Sequence, residues 1–398
     1  MPGPPNSIPT KNPTPKDQKG VSMSILKNAG VVTIFTLLSR IMGAVRDLFI
    51  ANIFGAGLVT DAFIQAFTIP NVFRRLTAEG SMTLAFLPIY TEIREQRSAE
   101  EARRFASRVL GLVLFGTGLI CALGMIFSPQ LVWLFAVGFA EDVEKFQLTT
   151  DLNRLMFPYL ILVSVVAWSM GILNAEKRFA APAAAPILLN LAIICGAFVL
   201  APWLEHPIEG LGWGVLIGGL LQVILQIPPL LRVEQPLLPK VFWLDPEVKR
   251  LLKLLGPSLF GVAVYQINII ILRNLASFLP DGQVTYYYNA SRLTEFVLGV
   301  FAFAIATASF PELSLQKART DWLEVEQTLK LSFHTTFLIV FPATAGLIGM
   351  AEPIVSILFR HGAFTWLDVK ATAFTLMIFA SSIPAVAAVR LLVALFYA

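Results

Sequence analysis

Charged residues are scarce in this chain of 398 residues, and cysteine and histidine are scarcer still. Only 14% of the residues are charged and 56% are hydrophobic, whereas a soluble globular protein has about 25% charged residues. This composition excludes an ordinary soluble protein. The two cysteines, Cys121 and Cys195, stand inside apolar runs, which favours inert helix positions over a disulfide or a metal site.

Catalytic motifs are also lacking. The three histidines are scattered, and the sequence has no nucleophile elbow, no phosphate-cradling glycine loop and no Walker motif. We therefore expect no enzyme activity and no metal site. The net charge of +4 does not indicate a nucleic-acid partner, because the basic residues fall between apolar runs rather than in one patch.

Long apolar runs recur from residue 28 to the C-terminus, and many approach the ~20 residues that span a bilayer. They predict an all-α polytopic membrane protein with about ten transmembrane helices. The predicted helices cover residues 25–50, 60–91, 105–128, 151–173, 183–202, 211–231, 250–278, 284–312, 328–349 and 369–396.

Lysine and arginine are unevenly distributed between the two sets of connections. Nineteen of them fall in the N-terminal segment and in every second gap, and three fall in the alternate gaps. Basic connections stay in the cytoplasm, so the N-terminus is predicted to be cytoplasmic.

Segments about 223 residues apart resemble one another. AFLPIYTEIREQ at 85–96 parallels ASFPELSLQKAR at 308–319, and VWLFAVGF at 132–139 parallels VSILFRHGAF at 355–364. Six helices per unit is an even number, so both units keep one orientation. Parallel repeats of this kind are a transporter architecture with the substrate bound between the lobes.

The repeat divides the chain into four units. They are a disordered cytoplasmic tail (1–24), a six-helix first lobe (25–232), a cytoplasmic linker (233–249) and an incomplete second lobe of four helices (250–398). Compared with the first lobe, we expect the second to lack its last two helices, so that the chain looks cut short.

Charged residues nevertheless stand inside several predicted helices. Such a residue costs about 2.5–3.5 kcal/mol at a helix centre, so it usually faces a bundle interior or a water-filled cavity. Some are paired locally, Arg75 with Glu79 and Arg292 with Glu295, and Arg273 is expected to snorkel or pack near the outer end. The candidate cavity residues are Arg40, Arg46, Asp47, Asp61, Arg74, Arg75, Glu79, Arg292 and Glu295.

These carboxylates do not account for all the arginines, and the excess favours an anionic ligand. The planar fork of arginine donates two hydrogen bonds to a phosphate at once, so several arginines on one cavity would suit a pyrophosphate. Pro70 and Gly80 are expected to loosen the second helix where its charges lie. The competing interpretation is that the charges merely pair to fix helix packing.

Several motifs carry a resemblance to a known family over residues 25–398. They include SRIMGAVRD (39–47), FGAGLVTDAF (54–63), PNVFRRLTAEGS (70–81), GPSLFGVAVYQI (256–267), YYNASRLTEF (287–296) and RHGAFT (360–365). The sequence resembles the MurJ/MviN lipid II flippases, within the wider multidrug/oligosaccharidyl-lipid/polysaccharide exporter superfamily.

The resemblance implies fourteen helices, of which the last four would be missing here. It implies a protein of the bacterial inner membrane that moves lipid II to the periplasmic leaflet by alternating access. The family's cavity residues would fall on Arg40, Arg46, Asp47, Asp61, Arg75, Glu79 and Arg292, with Arg74 and Glu295 beside them. Lipid II and membrane lipids are the implied partners, and no cofactor is implied beyond a coupling ion of unknown identity. Ser291 stands where many family members have an aspartate, which puts a local charge pair in doubt.

Three alternatives remain open on the sequence. One is a flippase for another polyprenyl-pyrophosphate glycan, which would use the same arginines. A drug antiporter would have a cavity that is poor in arginine and more acidic or aromatic. A non-transporting scaffold that recruits cell-wall synthesis proteins would not need the cavity charges at all.

Overall fold

The computed structural model describes residues 15–76, 85–241, 245–298, 315–317, 319 and 321–397. Every regular element in these ranges is a helix, which confirms the predicted all-α membrane fold. The α-helices are α1 Pro15–Phe54, α2 Leu58–Arg74, α3 Leu87–Gln96, α4 Ala99–Ile126, α5 Ser128–Phe135, α6 Val143–Met156, α7 Tyr159–Ala175, α8 Ala180–Cys195, α9 Glu209–Arg232, α10 Pro246–Ser277, α11 Gln283–Val297, α12 Trp322–Gly349, α13 Ala351–Phe359, α14 Trp366–Ser381 and α15 Ile383–Tyr397.

Five helical stretches in the described ranges are long and apolar enough to cross a membrane, and two bent helix pairs raise the number to seven. The predicted first transmembrane helix, which carries Arg40, Arg46 and Asp47, is not among these seven stretches. The predicted second and eighth helices continue into residues 77–84 and 299–314, which lie outside the described residues. The figure of about ten spans therefore stays a prediction.

The first helix begins earlier than predicted. Helix α1 starts at Pro15, so residues 15–24, predicted as a disordered tail, are helical. Proline suits the first position of a helix because the N–H that it lacks would be unpaired there anyway. Residues 1–14 lie outside the described residues, and the lobe boundaries stay predictions.

Two short helices were not predicted. Helices α5 and α13 have eight and nine residues, and each directly follows a long helix. Elements of this length give no membrane-span signal, which is why the sequence pattern missed them.

The helix bounds repeat at the offset of 223 residues that the sequence suggests. Helices α4 and α12 start at Ala99 and Trp322 and end at Ile126 and Gly349, so both ends are displaced by 223. The same displacement relates the starts of α5 and α13, the starts of α6 and α14, and the ends of α1 and α10. The described helices of the second lobe thus follow the order of those in the first.

A row of small residues brings α8 and α9 into backbone contact. Gly210, Gly214 and Gly218 are four residues apart on α9, and a Cβ added at Gly214 would lie 2.7 Å from the carbonyl oxygen of Ala192. Small residues at this spacing allow close helix approach in membranes. Helix α8 also packs against α1, and there it places Asn190 beside Arg46.

Helix α10 begins on the first lobe and then changes direction. Val248 and Leu251 are buried in a hydrophobic cluster with Phe105 of α4. The segments Pro246–Pro257 and Gly261–Ser277 are bent by 47° relative to each other, and a proline within a helix is a common cause of such a bend. The second segment lines the cavity described below.

Candidate functional site

A cavity of about 520 Å³ lies between the two lobes. Residues of α1, α2 and α7 to α9 line it from the first lobe, and residues of α10 and α11 line it from the second. The charged lining residues are Arg46, Asp47, Arg74, Arg75, Arg273, Arg292 and Glu295. Five arginines against two carboxylates leave the described lining with a net charge of +3.

Arg46 is the most heavily bonded of these arginines. Its guanidinium is buried and donates to Oδ1 of Asp47, at 3.0 Å from Nε and 2.7 Å from Nη2. Nη1 donates to Oδ1 of Asn190 at 3.0 Å, and Nη2 also donates to the Tyr288 hydroxyl at 3.0 Å. Residues of α1, α8 and α11 thus fix one guanidinium in a single orientation.

The Tyr288 hydroxyl connects this group to Arg292. It accepts from Nε and Nη2 of Arg292 at 3.2 Å each and donates to Oδ1 of Asp47 at 3.2 Å. Arg292 also lies 3.7 Å from Oδ2 of Asp47 and 3.4 Å from Glu295, which confirms the predicted Arg292–Glu295 pair. One tyrosine therefore holds arginines from both lobes side by side.

Six of the nine candidate residues line the cavity, namely Arg46, Asp47, Arg74, Arg75, Arg292 and Glu295. Arg40 does not: it is exposed on α1, outside the described lining. Glu79, with its predicted pairing to Arg75, lies outside the described residues. The prediction that Arg273 snorkels or packs near the outer end is corrected, because Arg273 lines the cavity.

Asp61 lies at a junction between the lobes and is also outside the described lining. Its carboxylate is fully buried and accepts from the Lys145 ammonium at 3.0 Å. It further accepts from the backbone N–H groups of Gly282 and Thr285, at 2.8 and 2.9 Å, and from the Thr285 hydroxyl at 2.6 Å. A carboxylate at the N-terminus of α11 is also favoured by the helix dipole.

We call this region the distal junction. It comprises Asp61, Lys145 and the α10–α11 connection, at the end of the cavity where α1 and α10 finish. Lys145 is itself buried and reaches Asp281 of that connection at 2.7 Å. Asp61 and Lys145 both belong to the first lobe, and the second lobe supplies Asp281 and the backbone N–H donors. Buried charges are stable only when they are paired and hydrogen-bonded, so the complete network needs both lobes in place.

Two hydrogen bonds donated by backbone N–H groups flank the distal junction. The 3₁₀ turn Val137–Glu141 of the first lobe meets the end of α10, where the Gly138 N–H donates to the Ser277 hydroxyl at 2.9 Å. The loop after α13 meets the end of α1, where the Ala363 N–H donates to the Asn52 carbonyl at 2.8 Å. In each lobe, the segment after the short helix thus covers the end of the other lobe's first helix.

The opposite end of α10 is joined to the first lobe by more exposed ion pairs. Arg250 donates to both oxygens of Glu92 at 2.9 and 2.8 Å, and Arg97 donates to Glu247 at 2.7 Å. These hydrogen bonds from Arg250 hold the pKa of the Glu92 carboxyl below its usual value. Ion pairs between exposed side chains contribute little to stability, so these pairs are weaker than the buried contacts of the distal junction.

The residues of these networks that the sequence analysis missed include Asn190, Tyr288 and Lys145. Lys145 stands in the polar segment FAEDVEKFQ, which reads as a loop, and its partner Asp61 is 84 positions away. Tyr288 does lie within the YYNASRLTEF motif, four residues before Arg292 and on the same helix face. That spacing is the signal that could have found it.

The role of the Tyr288 hydroxyl can be tested by stability. Tyr288→Phe is expected to lower the free energy of unfolding by about 1–3 kcal/mol, because buried donors of Arg46 lose their acceptor. Chemical unfolding in detergent measures the difference. Tyr287→Phe is the matched control, since its hydroxyl is not part of the described network. Equal effects in both variants would contradict the assignment.

Repeated helical units around an arginine-lined cavity are an architecture of membrane transporters. Residues 50–398 match the family model for the lipid II flippase MurJ. The chain belongs to the MurJ family.

Individual relatives agree with the family model. The chain is 35% identical to the probable lipid II flippase MurJ of Buchnera aphidicola subsp. Acyrthosiphon pisum (strain APS), over 94% of this chain and 74% of that protein. It is 34% identical to the lipid II flippase MurJ of Burkholderia cenocepacia, with the same two coverages.

Solved structures show the same fold. A lipid II flippase MurJ in an inward closed conformation is 27% identical, with a TM-score of 0.78 over 92% of this chain and 76% of that chain. An inward-facing multidrug resistance MATE family transporter of the MOP superfamily has a TM-score of 0.69 over 92% of this chain and 86% of that chain. At 14% identity, that second likeness concerns the fold alone.

Proposed function

We propose that this chain translocates lipid II from the cytoplasmic to the periplasmic leaflet of the bacterial inner membrane, with its N-terminus in the cytoplasm. The observation that carries the proposal is the net charge of +3 on the described cavity lining, contributed by arginines of both lobes. Lipid II carries its sugars and peptide on a diphosphate, an anion to which an arginine fork can donate two hydrogen bonds at once. Family membership supports the same substrate.

The arginine network gives the diphosphate a preorganised site. Arg46 and Arg292 converge on the Tyr288 hydroxyl from opposite lobes, so an anion beside that hydroxyl would meet both guanidinium groups. Asp47 keeps Arg46 in place and offsets part of its charge, which limits the cost of burying it. Arg74 and Arg75 extend the positive surface along the first lobe.

Asp61 has a different proposed role from the one its sequence position suggested. Its carboxylate oxygens are already engaged by Lys145, Gly282 and Thr285, so we assign it to closure of the cavity rather than to the substrate. Arg40 and Glu79 keep their predicted cavity role only as expectations.

Transport by alternating access would follow from the two unequal ends. The distal junction is buried and well bonded, whereas the exposed ion pairs at the start of α10 exchange easily with water. Binding of the headgroup between the lobes would favour a state in which the distal junction opens. The bend in α10 between residues 257 and 261 is the proposed hinge, and the lipid tail would remain in the bilayer throughout.

The experiment is rescue of bacteria depleted of their own lipid II flippase. The chain is expected to restore growth, and Arg292→Ala is expected to abolish rescue with unchanged membrane insertion. Arg154→Ala is the matched control, because Arg154 is an exposed arginine on α6 that pairs only locally with Asp151 among the described residues.

Each alternative has its own outcome. Rescue that survives Arg292→Ala would support the scaffold that recruits cell-wall synthesis proteins and would contradict transport through the cavity. The well-inserted chain could instead fail to rescue these bacteria and yet rescue cells that lack a flippase for another polyprenyl-diphosphate glycan. That result would identify the other glycan as the substrate. Export of cationic drugs without either rescue would favour the drug antiporter.

A further inference from the structure

Two polar side chains on one face of α10 are not used by the arginine network. Gln266 and Arg273 both line the cavity, and they are seven residues apart on the segment Gly261–Ser277. Seven residues are close to two helical turns, so the two side chains share a face about 10 Å apart along the axis. Together they form a second polar wall on the side of the second lobe.

Arg273 is held by aromatic faces rather than by a carboxylate. Its guanidinium carbon lies 5.1 Å from the ring centroid of Tyr287 and 5.8 Å from that of Tyr288. Its Nη1 atom is buried and has no hydrogen-bond partner among the described residues. Stacking on aromatic rings orients a guanidinium while leaving its N–H donors free for a ligand that lies in the plane of the guanidinium.

Gln266 offers the complementary group. The residue is only 3% exposed, and its Oε1 atom has no hydrogen-bond partner among the described residues. Buried donors and acceptors are rarely left unpaired, because each one forfeits its hydrogen bonds to water. An orphan donor and an orphan acceptor on one cavity face therefore point to a ligand that supplies both kinds of partner.

We infer that Arg273 and Gln266 form a headgroup subsite that takes the link between phosphate and sugar. Arg273 donates to an anionic oxygen of the diphosphate, and Gln266 accepts from a hydroxyl or amide N–H of the attached amino sugar. Arg292 and Arg273, which both stack on the Tyr288 ring, then approach the diphosphate from neighbouring positions. This inference rests on the proposed function and adds to it a contact that distinguishes the sugar-bearing lipid from its bare carrier.

The test compares two probes, undecaprenyl diphosphate and lipid II, binding to the purified chain in nanodiscs. Arg273→Gln is expected to weaken binding of both probes about tenfold, as loss of a charge-assisted hydrogen bond would. Gln266→Met keeps the shape of the side chain and is expected to weaken lipid II about fivefold while leaving undecaprenyl diphosphate unchanged. Arg154→Gln controls for general loss of positive charge.

The outcomes separate the inference from the proposed function. If the unaltered chain binds neither probe, the proposed function fails. If it binds lipid II and Arg273→Gln binds both probes equally well, the subsite is wrong and the flippase proposal stands. Equal weakening of both probes by Gln266→Met would overturn the sugar contact. If Arg273→Gln does not fold, Arg273→Lys replaces it and is expected to lose several-fold affinity, because an ammonium lacks the fork.

Discussion

Asp61→Asn is expected to open the distal end of the cavity, so that a membrane-impermeant maleimide labels a cavity cysteine about tenfold faster or more. The carboxylate of Asp61 is the common acceptor for Lys145, Gly282 and Thr285, and the latter two belong to the second lobe. Removing one partner of a buried ion pair costs about 3–5 kcal/mol. The pair of Asp61 with Lys145 lies within the first lobe, but the hydrogen bonds from Gly282 and Thr285 form only when the lobes are together. Their loss weakens the closed state, so the equilibrium shifts toward the state with separated lobes.

The reporter for this experiment is Ser291→Cys, in a chain whose own cysteines are replaced by Cys121→Ala and Cys195→Ala. Ser291 lines the cavity and bonds only within its own helix among the described residues. Asp151→Asn is the matched control, because Asp151 is an exposed carboxylate on α6. Faster labelling is expected in right-side-out vesicles and not in inside-out vesicles.

Two different results of the vesicle experiment would contradict the prediction for Asp61→Asn. No acceleration in either type of vesicle would mean that the distal junction does not hold the lobes together. Faster labelling in inside-out vesicles only would support the role of the distal junction but would show that the predicted orientation of the chain is reversed.

Arg46→Gln is expected to abolish rescue and to weaken lipid II binding by about two orders of magnitude, which corresponds to roughly 2.8 kcal/mol. The variant removes a guanidinium that bonds residues of three helices and that faces the proposed diphosphate. It also leaves Asp47 buried without its closest partner, so part of the defect is expected to be loss of stability.

A double variant separates these two effects. Arg46→Gln with Asp47→Asn removes both charges of the buried pair, so thermal stability is expected to recover while lipid II binding does not. Arg46→Lys keeps the charge without the fork and is expected to retain only weak binding. Recovery of binding in the double variant would show that Arg46 acts on folding and not on the substrate.

The apolar runs were sufficient to predict an all-helical membrane protein, and the 223-residue offset predicted the order in which long helices recur, but the short helices α5 and α13 gave no signal. Charges inside membrane helices were sufficient to predict a cavity, because such a charge needs a cavity or a partner, and the anionic ligand stays a prediction. Arg273 was misplaced because its position along the helix does not tell which neighbour it faces. Lys145 was missed because its partner belongs to another helix, and local patterns carry no information about such contacts.

The repeat has a consequence for how a ligand can enter the cavity. At the 223-residue offset, Arg46 corresponds to Ile269 and Arg292 corresponds to Ile69. The two lobes therefore repeat their helices but not their cavity side chains, and these two arginines have no counterparts across the axis that relates the lobes. A headgroup rotated by half a turn would meet Ile269 in place of Arg46, whereas Ile69 is fully buried and lies outside the described lining. The cavity accordingly has a single docking direction, although its scaffold is nearly two-fold.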